Sequence, residues 1–212
     1  MATKSDVAYE YIKQKIISGA LAPLTPIDES QIQKELDTSR TPVREAILRL
    51  RDSGFIYNYS NQGNLVSEIS LDLINEIYTA RYVNEPIVNI GASRVVSKDF
   101  LLDLRNKFLN PPEEIKEDAN KLSDYFITLD DGLHEGLLKL YPNRFIQKVM
   151  LTVFDHNRRL RRFSTKISID EHIEIIDAVL SKDESKIRET TIAHLDGSQK
   201  LTLDAYRTGA LR

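Results

Sequence analysis

The sequence predicts a mainly α protein, in which a small amino-terminal unit of three helices and one hairpin precedes an all-helical bundle. Apolar residues recur every three or four positions through most of the chain and alternate only between residues 55 and 69. We place the boundary where that period changes, so the predicted units are residues 1–70 and 71–212. With 212 residues, of which 41% are hydrophobic, the chain can bury a core of normal size, which excludes overall disorder.

Three short helices open the amino-terminal unit. They are predicted over residues 6–18, 28–36 and 41–52. Asp28 and Gln31 form a capping-box pattern at the start of the second helix. Thr41 and Pro42 predict the N-cap and the first turn of the third helix. Only a tight turn separates the second helix from the third.

A β-hairpin is predicted after the third helix. Phe55, Tyr57 and Tyr59 occupy alternate positions, a polar turn spans residues 60–64, and apolar residues return at Leu65. Two short helices joined by a tight turn and followed by a hairpin describe a winged helix-turn-helix, whose second helix enters the major groove of DNA. The first unit is therefore predicted to bind a double-stranded DNA operator.

Positive charge is concentrated on the third predicted helix. Residues 40–51 hold four Arg and one Glu, a local charge of +3, although the whole chain carries −3. Arg40 and Arg44 share one helix face, and guanidinium groups suit guanine edges and phosphates alike. A solvated helix face held by ion pairs is the alternative explanation of this charge.

An antiparallel all-α bundle is predicted from residue 71 onward. Its helical stretches are residues 71–96, 99–109, 116–140, 144–163, 169–180 and 185–205. The connections between them are short, so consecutive helices should pack antiparallel. Within the first of these helices, Pro86 is expected to produce a kink.

Four side chains on the apolar stripes of the bundle form a candidate metal site. Asp130 and His134 lie four residues apart on one helix, and His172 and His194 each lie eleven residues from a turn at Asp183. Residues equidistant from the turn of a helical hairpin lie side by side, so these two imidazoles should face each other. An Asp-His-His-His set suits a divalent metal, Zn²⁺ first, with Ni²⁺, Mn²⁺ or another first-row ion as alternatives.

Other interpretations of these residues stay open. Each His alone could be a hydrogen-bonded core residue, and His156 lies at the edge of its stripe and is not expected to bind metal. A metal-dependent hydrolase would need a further carboxylate, but Asp131 lies about 100° around the helix from Asp130. The basic run Arg158–Arg162 is expected to be an exposed helix end, with a direct DNA contact as the alternative.

The composition excludes several classes of protein. The chain has no Cys, which excludes disulfides, Cys-ligated zinc and thiol catalysis and fits a cytoplasmic protein. No stretch approaches the roughly 18 apolar residues of a membrane span. The first residues also lack the apolar core of a secretory signal. We therefore expect a cytoplasmic protein that has no membrane partner.

The amino-terminal unit resembles the GntR family of bacterial transcription regulators. The resemblance spans residues 9–66 and rests on the motifs at 16–21, 39–47, 49–50, 53–54 and 63. It implies that DNA contacts come from these residues: Arg40, Thr41, Arg44 and Arg49 on the third helix and Gly63 at the wing tip. Where the family has Gly before that helix, this chain has Asp37, a residue that also tolerates left-handed geometry.

The bundle is similar to the FCD domain, the ligand-sensing domain of the FadR branch of that family. The matching positions are Asp130, His134, Asn143, Glu171, His172, Asp183 and His194. The resemblance implies that Asp130 and the three His bind the metal. It also implies that Arg81 binds an effector carboxylate, with Asn143 as a second effector-binding candidate. The alternative for Arg81 is a plain ion pair with Glu85.

Together these resemblances imply a ligand-responsive transcription regulator, most simply a repressor. A homodimer would present two recognition helices to a pseudo-palindromic operator, because protein symmetry imposes half-site symmetry. The expected effector is a small organic acid bound at or near the metal. A metal-dependent hydrolase that uses the same cluster is the alternative function.

Overall fold

The computed structural model describes residues 2–161 and 168–210, and within them the chain forms nine α-helices and one two-stranded sheet. The helices are α1 (Lys4–Ile17), α2 (Glu29–Glu35), α3 (Arg40–Asp52), α4 (Leu71–Ser93), α5 (Lys98–Leu109), α6 (Ala119–Leu140), α7 (Arg144–Arg161), α8 (Ile169–Ser181) and α9 (Glu184–Arg207). The strands are β1 (Ile56–Tyr59) and β2 (Gly63–Val66), and a 3₁₀ turn at Glu113–Ile115 precedes α6. This is the mainly α architecture that the sequence predicts.

The first three helices and the hairpin share one apolar core. Its buried side chains come from α1, α2, α3 and the strands: Ala8, Ile12, Ile16, Ile32, Val43, Ala46, Ile47, Leu50, Phe55, Ile56 and Val66. The strands pair antiparallel, with Ile56 opposite Val66 and Tyr59 opposite Gly63. A bridge between Pro26 and Leu65 joins the hairpin to the segment before α2. The hairpin is therefore anchored in two ways, by its side chains in the shared core and by its pairing with the segment before α2.

Two capping predictions need correction. α3 begins at Arg40 after Ser39, so Thr41 lies inside the first helical turn and is not the N-cap. Asp28 does cap α2 by accepting from two backbone amides, but the Gln31 side chain donates to Glu35, and the reciprocal bond of a capping box, from the Asp28 amide to the Gln31 side chain, is not among the described contacts.

The turn between α2 and α3 has the geometry expected from the sequence. Asp37 has φ +42°, in the left-handed region that Asp tolerates better than most residues. Gly54 ends α3 with φ +76°, and Gly63 opens β2 with φ +77°. These backbone positions set the recognition helix between a tight turn and the wing.

The bundle is built around α4, which packs along α9 and also contacts α6, α7 and α8. α4 continues through Pro86 to Ser93. α8 and α9 form a helical hairpin whose turn is made by Lys182, with φ +59°, and Asp183, which caps α9. α5, α6 and α8 enclose the largest apolar core, which includes Phe108, Leu133 and Ile176.

Helix α7 of the bundle contacts the amino-terminal unit. The Asp155 carboxylate forms an ion pair with the Lys13 ammonium of α1 at 3.0 Å. His156 Nε2 lies 2.7 Å from the Ser53 carbonyl oxygen, and its ring stacks on Phe55 with centroids 3.9 Å apart. Across the described ranges 2–161 and 168–210, no helix is long and apolar enough to cross a membrane.

Candidate metal centre and nucleic-acid interface

Four buried side chains from three helices meet inside the bundle. Asp130 and His134 lie one turn apart on α6, His172 lies on α8 and His194 on α9. One potential ligand atom from each lies within 4.8 Å of the others. His172 and His194 face each other with ring centroids 4.7 Å apart, as their equal distance from Asp183 predicts. The structure thus brings the whole predicted set together.

Each imidazole of this cluster is oriented through its Nδ1 atom. The Nδ1 neighbours are the Ser168 carbonyl oxygen at 2.7 Å for His172, Glu171 Oε2 at 3.1 Å for His194 and Glu85 Oε2 at 3.1 Å for His134. All three neighbours are acceptors, so we assign the ring proton to Nδ1 in each case. That tautomer leaves a lone pair on every Nε2, which is the arrangement found when outer partners fix metal-binding histidines.

The donor set fits a small divalent cation. Burial lowers the pKa of His172 and of His194 to about 3, so both rings are neutral at pH 7. His172 Nε2 lies 2.5 Å from Asp130 Oδ1, so both ring nitrogens of His172 face acceptors, and a cation bound between Nε2 and Oδ1 would take the place of a proton there. His134 Nε2 is buried with no hydrogen-bond partner among the described residues. Ligand atoms of a tetrahedral zinc ion lie about 3.4 Å apart, so this cluster, whose atoms lie within 4.8 Å of one another, would contract by about an ångström to bind one.

Arg81 lies behind this cluster. Its guanidinium is buried, pairs with Glu85 one turn further along α4 and donates to Asn157 Oδ1 at 3.1 Å. Burial alone would raise the pKa of Glu85, but Arg81 and His134 together hold it well below its usual range. Glu85 is therefore an anion that faces His134. The geometry favours the ion-pair role for Arg81 that the sequence left open.

A small cavity of about 40 Å³ adjoins the cluster on the side of α4 and α9. Tyr78, Ser198 and Thr202 form one wall, and the Tyr78 hydroxyl lies within 2.9 Å of both other hydroxyls. Arg161 forms another wall and pairs with the cluster residue Asp130. Burial lowers the pKa of Arg161 to about 10, which still leaves it a cation at pH 7. The cavity thus offers one positive charge and several hydroxyl groups.

The basic run at the end of α7 is not the exposed helix end that the sequence predicted. Arg158 and Arg161 have side chains only 21% and 14% exposed, and Arg159 is buried against Ser67. Arg162 lies outside the described residues. Arg158 and Arg161 both pair with Asp131, which is thereby turned away from the metal ligands.

The other candidate site is the exposed start of α3. The side chains of Arg40 and Arg44 are 64% and 54% exposed, and both approach Glu29 of α2, at 3.5 Å and 3.1 Å. Thr41 is exposed beside them in the first turn. Arg40 and Gly63 line one groove, so the start of the helix and the wing tip are brought together.

Arg49 faces a different direction from the other arginines of α3. Its guanidinium pairs with Asp6 at 2.8 Å and lies over the Tyr9 ring, 4.3 Å from the ring centroid. Both partners belong to α1. Arg49, near the end of α3, therefore links α3 to α1, and its side chain is still 46% exposed.

Comparison with known proteins assigns both halves of the chain. Residues 4–66 match the family described as bacterial regulatory proteins, gntR family, and residues 103–197 match the FCD domain. The chain belongs to the GntR family and carries an FCD domain. GntR regulators bind operator DNA and FCD domains bind small-molecule effectors, so the protein is a DNA-binding transcription regulator and not an enzyme.

Similar proteins carry corresponding names. The HTH-type transcriptional repressor RspR of Escherichia coli K12 is 23% identical over 198 residues, which cover 88% of this chain and 83% of that protein. The gluconate operon transcriptional repressor of Bacillus subtilis 168 is 27% identical over 183 residues, covering 86% and 73%. The structure of E. coli McbR/YncC has a TM-score of 0.78 at 16% identity, covering 97% of this chain and 100% of that one, which supports the fold.

Two sequence-based predictions find no support in this GntR-family structure. The metal-dependent hydrolase is unsupported, because the relatives are regulators and Asp131, the extra carboxylate that the sequence offered, is engaged by arginines. Asn143 is exposed at the start of α7, where its Oδ1 accepts from the backbone amides of Phe145 and Ile146. The described part of the chain therefore places Asn143 as a helix cap away from the cavity.

Several residues around the FCD cluster escaped the sequence analysis. Glu85 was considered only as an ion-pair partner of Arg81 and Glu171 only as a position that matches the FCD domain, and Tyr78 and Thr202 had no signal of their own. Arg161 was hidden within a run of basic residues. The available signal was its spacing from Arg158. The two arginines lie three residues apart, on one face of α7, where both can pair with carboxylates of α6.

Proposed function

We propose that this GntR-family protein is a metal-containing, homodimeric repressor that releases its operator when a small carboxylate binds beside the metal. The convergence of Asp130, His134, His172 and His194 carries this proposal, because three imidazoles and a carboxylate share one buried point. Residues 1–70 would form the DNA-binding unit and residues 71–212 the sensing and dimerisation unit. The protein would act in the cytoplasm, where operator DNA is available.

Zinc is the proposed metal. A buried set of three imidazoles and one carboxylate matches its preferred ligands, and nickel or manganese would use the same atoms. Elemental analysis after dialysis against equimolar metals should find one ion per chain in the wild type. It should find less than a tenth of that in His172→Ala. His156→Ala is the matched control, since this buried His lies at the unit interface, and equal metal in all three proteins would overturn the assignment.

The effector is proposed to be a small carboxylate. The cation of Arg161 beside the metal ligands supports a negatively charged group, and the hydroxyls of Tyr78 and Thr202 support further oxygen atoms. Zinc would supply Lewis acidity that holds one carboxylate oxygen. A panel of mono-, di- and tricarboxylates, with sugars as controls, should raise the melting temperature of the zinc-loaded protein. Stabilisation by neutral sugars alone would contradict this class of effector.

The DNA site is proposed to be read by Arg40, Thr41 and Arg44, with Gly63 allowing the wing backbone to approach the minor groove. Footprinting should reveal one pseudo-palindromic site whose half-sites lie about one helical turn apart. Arg44→Ala should weaken operator binding by about 1–3 kcal/mol. Arg51→Ala, at the far end of α3, is the control and should bind normally. Arg49, held by Asp6 and Tyr9, is proposed to contact a phosphate at most.

Homodimerisation is proposed from the symmetry that such an operator requires. Light scattering on the purified protein should give twice the chain mass of 24.3 kDa. A monomer both free and on DNA would contradict the proposed assembly without affecting the metal assignment.

A further inference from the structure

A continuous series of ion pairs leads from the metal cluster, along α7, to the DNA-binding unit. Its links are Asp130–Arg161, Arg161–Asp131 (2.5 Å), Asp131–Arg158 (2.9 Å), Arg158–Asp155 (2.7 Å) and Asp155–Lys13 (3.0 Å). The first residue is a candidate metal ligand and the last lies on α1. We call these six residues the α7 relay.

The α7 relay is shielded from solvent. Each of its side chains is less than one third exposed, from 8% for Asp130 to 29% for Asp131. Partly buried charges attract each other more strongly than surface pairs do and are screened less by salt. A change of charge at one end can therefore alter the balance of forces at the next link.

Two more α7 side chains fasten this helix to the amino-terminal unit. The Nε2–H of His156 donates to the Ser53 carbonyl oxygen, and its ring stacks on Phe55, the residue before the wing. Arg159 donates to the hydroxyl and the carbonyl of Ser67, which follows the wing. Helix α7 thus contacts α6, at and beside the cluster, through Arg158 and Arg161. It contacts the DNA-binding unit through Asp155, His156 and Arg159.

We propose that the α7 relay reports the occupancy of the metal and effector site to the DNA-binding unit. This inference rests on the proposed metal centre. A divalent cation bound to Asp130 would repel the guanidinium of Arg161 and take over much of its counter-charge. Arg161 would then keep only Asp131 as its partner or pair with the incoming anion, and α7 would shift with it as a rigid helix.

The relay has the two arrangements that coupling between distant sites requires. In one, Arg161 pairs with Asp130, and in the other Asp130 binds the cation while Arg161 faces an anion. A ligand can shift such an equilibrium only by its difference in affinity for the two arrangements. The contacts of Asp155 and His156 with α1, Ser53 and Phe55 would transmit the shift, because they lie within two turns of Arg161 on the same helix.

The test compares wild type with Asp155→Asn, which removes the charge that links α7 to Lys13 and leaves the metal ligands intact. The control is Asp103→Asn, because Asp103 pairs only with Lys107 on its own helix among the described contacts. Hydrogen exchange of the peptides 4–17 and 50–58 is followed with and without Zn²⁺, and Zn²⁺ affinity is measured by calorimetry.

In wild type and Asp103→Asn, we expect Zn²⁺ to change exchange in both peptides by several-fold. In Asp155→Asn, Zn²⁺ affinity should stay within threefold of wild type while at least half of that change is lost. Lys13→Met cuts the same link from the other side and replaces Asp155→Asn if that variant fails to fold.

An undiminished response in both relay variants would overturn the relay. So would tight Zn²⁺ binding to wild type without any response in the two peptides, although the metal centre would then stand. Failure of wild type to bind Zn²⁺ would overturn the metal centre and, with it, the relay.

Discussion

At the scale of single residues, the two exposed arginines of the recognition helix share one acidic neighbour. The Glu29 carboxylate approaches Arg40 and Arg44 from the first turn of α2. It holds both guanidinium groups in one place and cancels part of the local positive charge. Glu29 therefore orients the side chains that we propose to read DNA, and it reduces their general attraction to phosphates.

Replacing Glu29 by Gln tests that balance. We expect tighter binding to random duplex DNA, by about two- to tenfold, and a steeper dependence on salt by about one unit of slope, because the variant neutralises one more phosphate. Fluorescence anisotropy at several salt concentrations measures both quantities. Glu10→Gln on α1 is the control. Weaker binding to random DNA would show that the carboxylate itself contacts the nucleic acid.

Outer partners of the histidines should tune metal affinity. Glu171 lies 3.1 Å from His194 Nδ1 and is 34% exposed, so Glu171→Gln keeps an acceptor in place but removes its charge. We expect Zn²⁺ to bind about tenfold more weakly, at the lower end of the effect usual for such partners. Competition with a chromophoric chelator measures this affinity. The control is Glu184→Gln, a surface residue of the same hairpin, and equal loss in both variants would remove the special role of Glu171.

At the scale of elements, α6 contains two glycines one turn apart in opposite surroundings. An added Cβ at Gly132 would lie 4.0 Å from its nearest neighbour, Leu104 Cδ2, whereas at Gly136 it would come within 2.6 Å of the Phe100 ring. Gly136 therefore allows α5 and α6 to approach closely, whereas the space around Gly132 would admit a methyl group.

These two glycines make a matched pair of stability predictions. Gly132→Ala should stabilise the protein by up to about 1 kcal/mol, because Ala is the better helix former. Gly136→Ala should destabilise it by about 1–2 kcal/mol, because overpacking outweighs the same gain. Urea unfolding of both variants measures the difference, and stabilisation by both would mean that Phe100 moves aside freely.

The elements show how far sequence patterns reach. Apolar spacing located the nine helices and the hairpin, because local periodicity reports which face is buried. Equal distance from Asp183 placed His172 opposite His194, because a helical hairpin fixes that register. Local patterns did not predict the burial of Arg158 and Arg161, which depends on the carboxylates that α6 presents to α7, a tertiary relationship between helices. The cap at Asn143 is a local contact with the amides of Phe145 and Ile146, where the resemblance to the FCD domain had implied an effector-binding role.

At the scale of the whole molecule, three buried histidines link stability to pH. Burial lowers the pKa of His156, His172 and His194 in the folded state, while the unfolded values lie near 6.5. Below that pH the unfolded chain binds protons that the folded chain excludes. The full stability is therefore present above about pH 6.5 and is lost as the pH falls towards the folded values.

For the metal-free protein we expect the free energy of unfolding to decrease between pH 7.5 and 5.5. The slope should approach about 1.4 kcal/mol per pH unit for each neutral buried histidine at the acidic end. Urea unfolding in the presence of a chelator measures it. His156→Gln should reduce the slope by about a third, and a flat profile in the wild type would contradict the buried neutral state of these rings.

The cavity beside the cluster has a consequence for the speed of the response. At about 40 Å³ it has room for roughly one water molecule, which is less than the proposed carboxylate effector needs. We therefore expect the helices around it to separate before the effector binds. The observed rate of effector binding should then level off at high effector concentration, at the rate of that opening, and the protein would ignore brief pulses of effector while answering sustained ones.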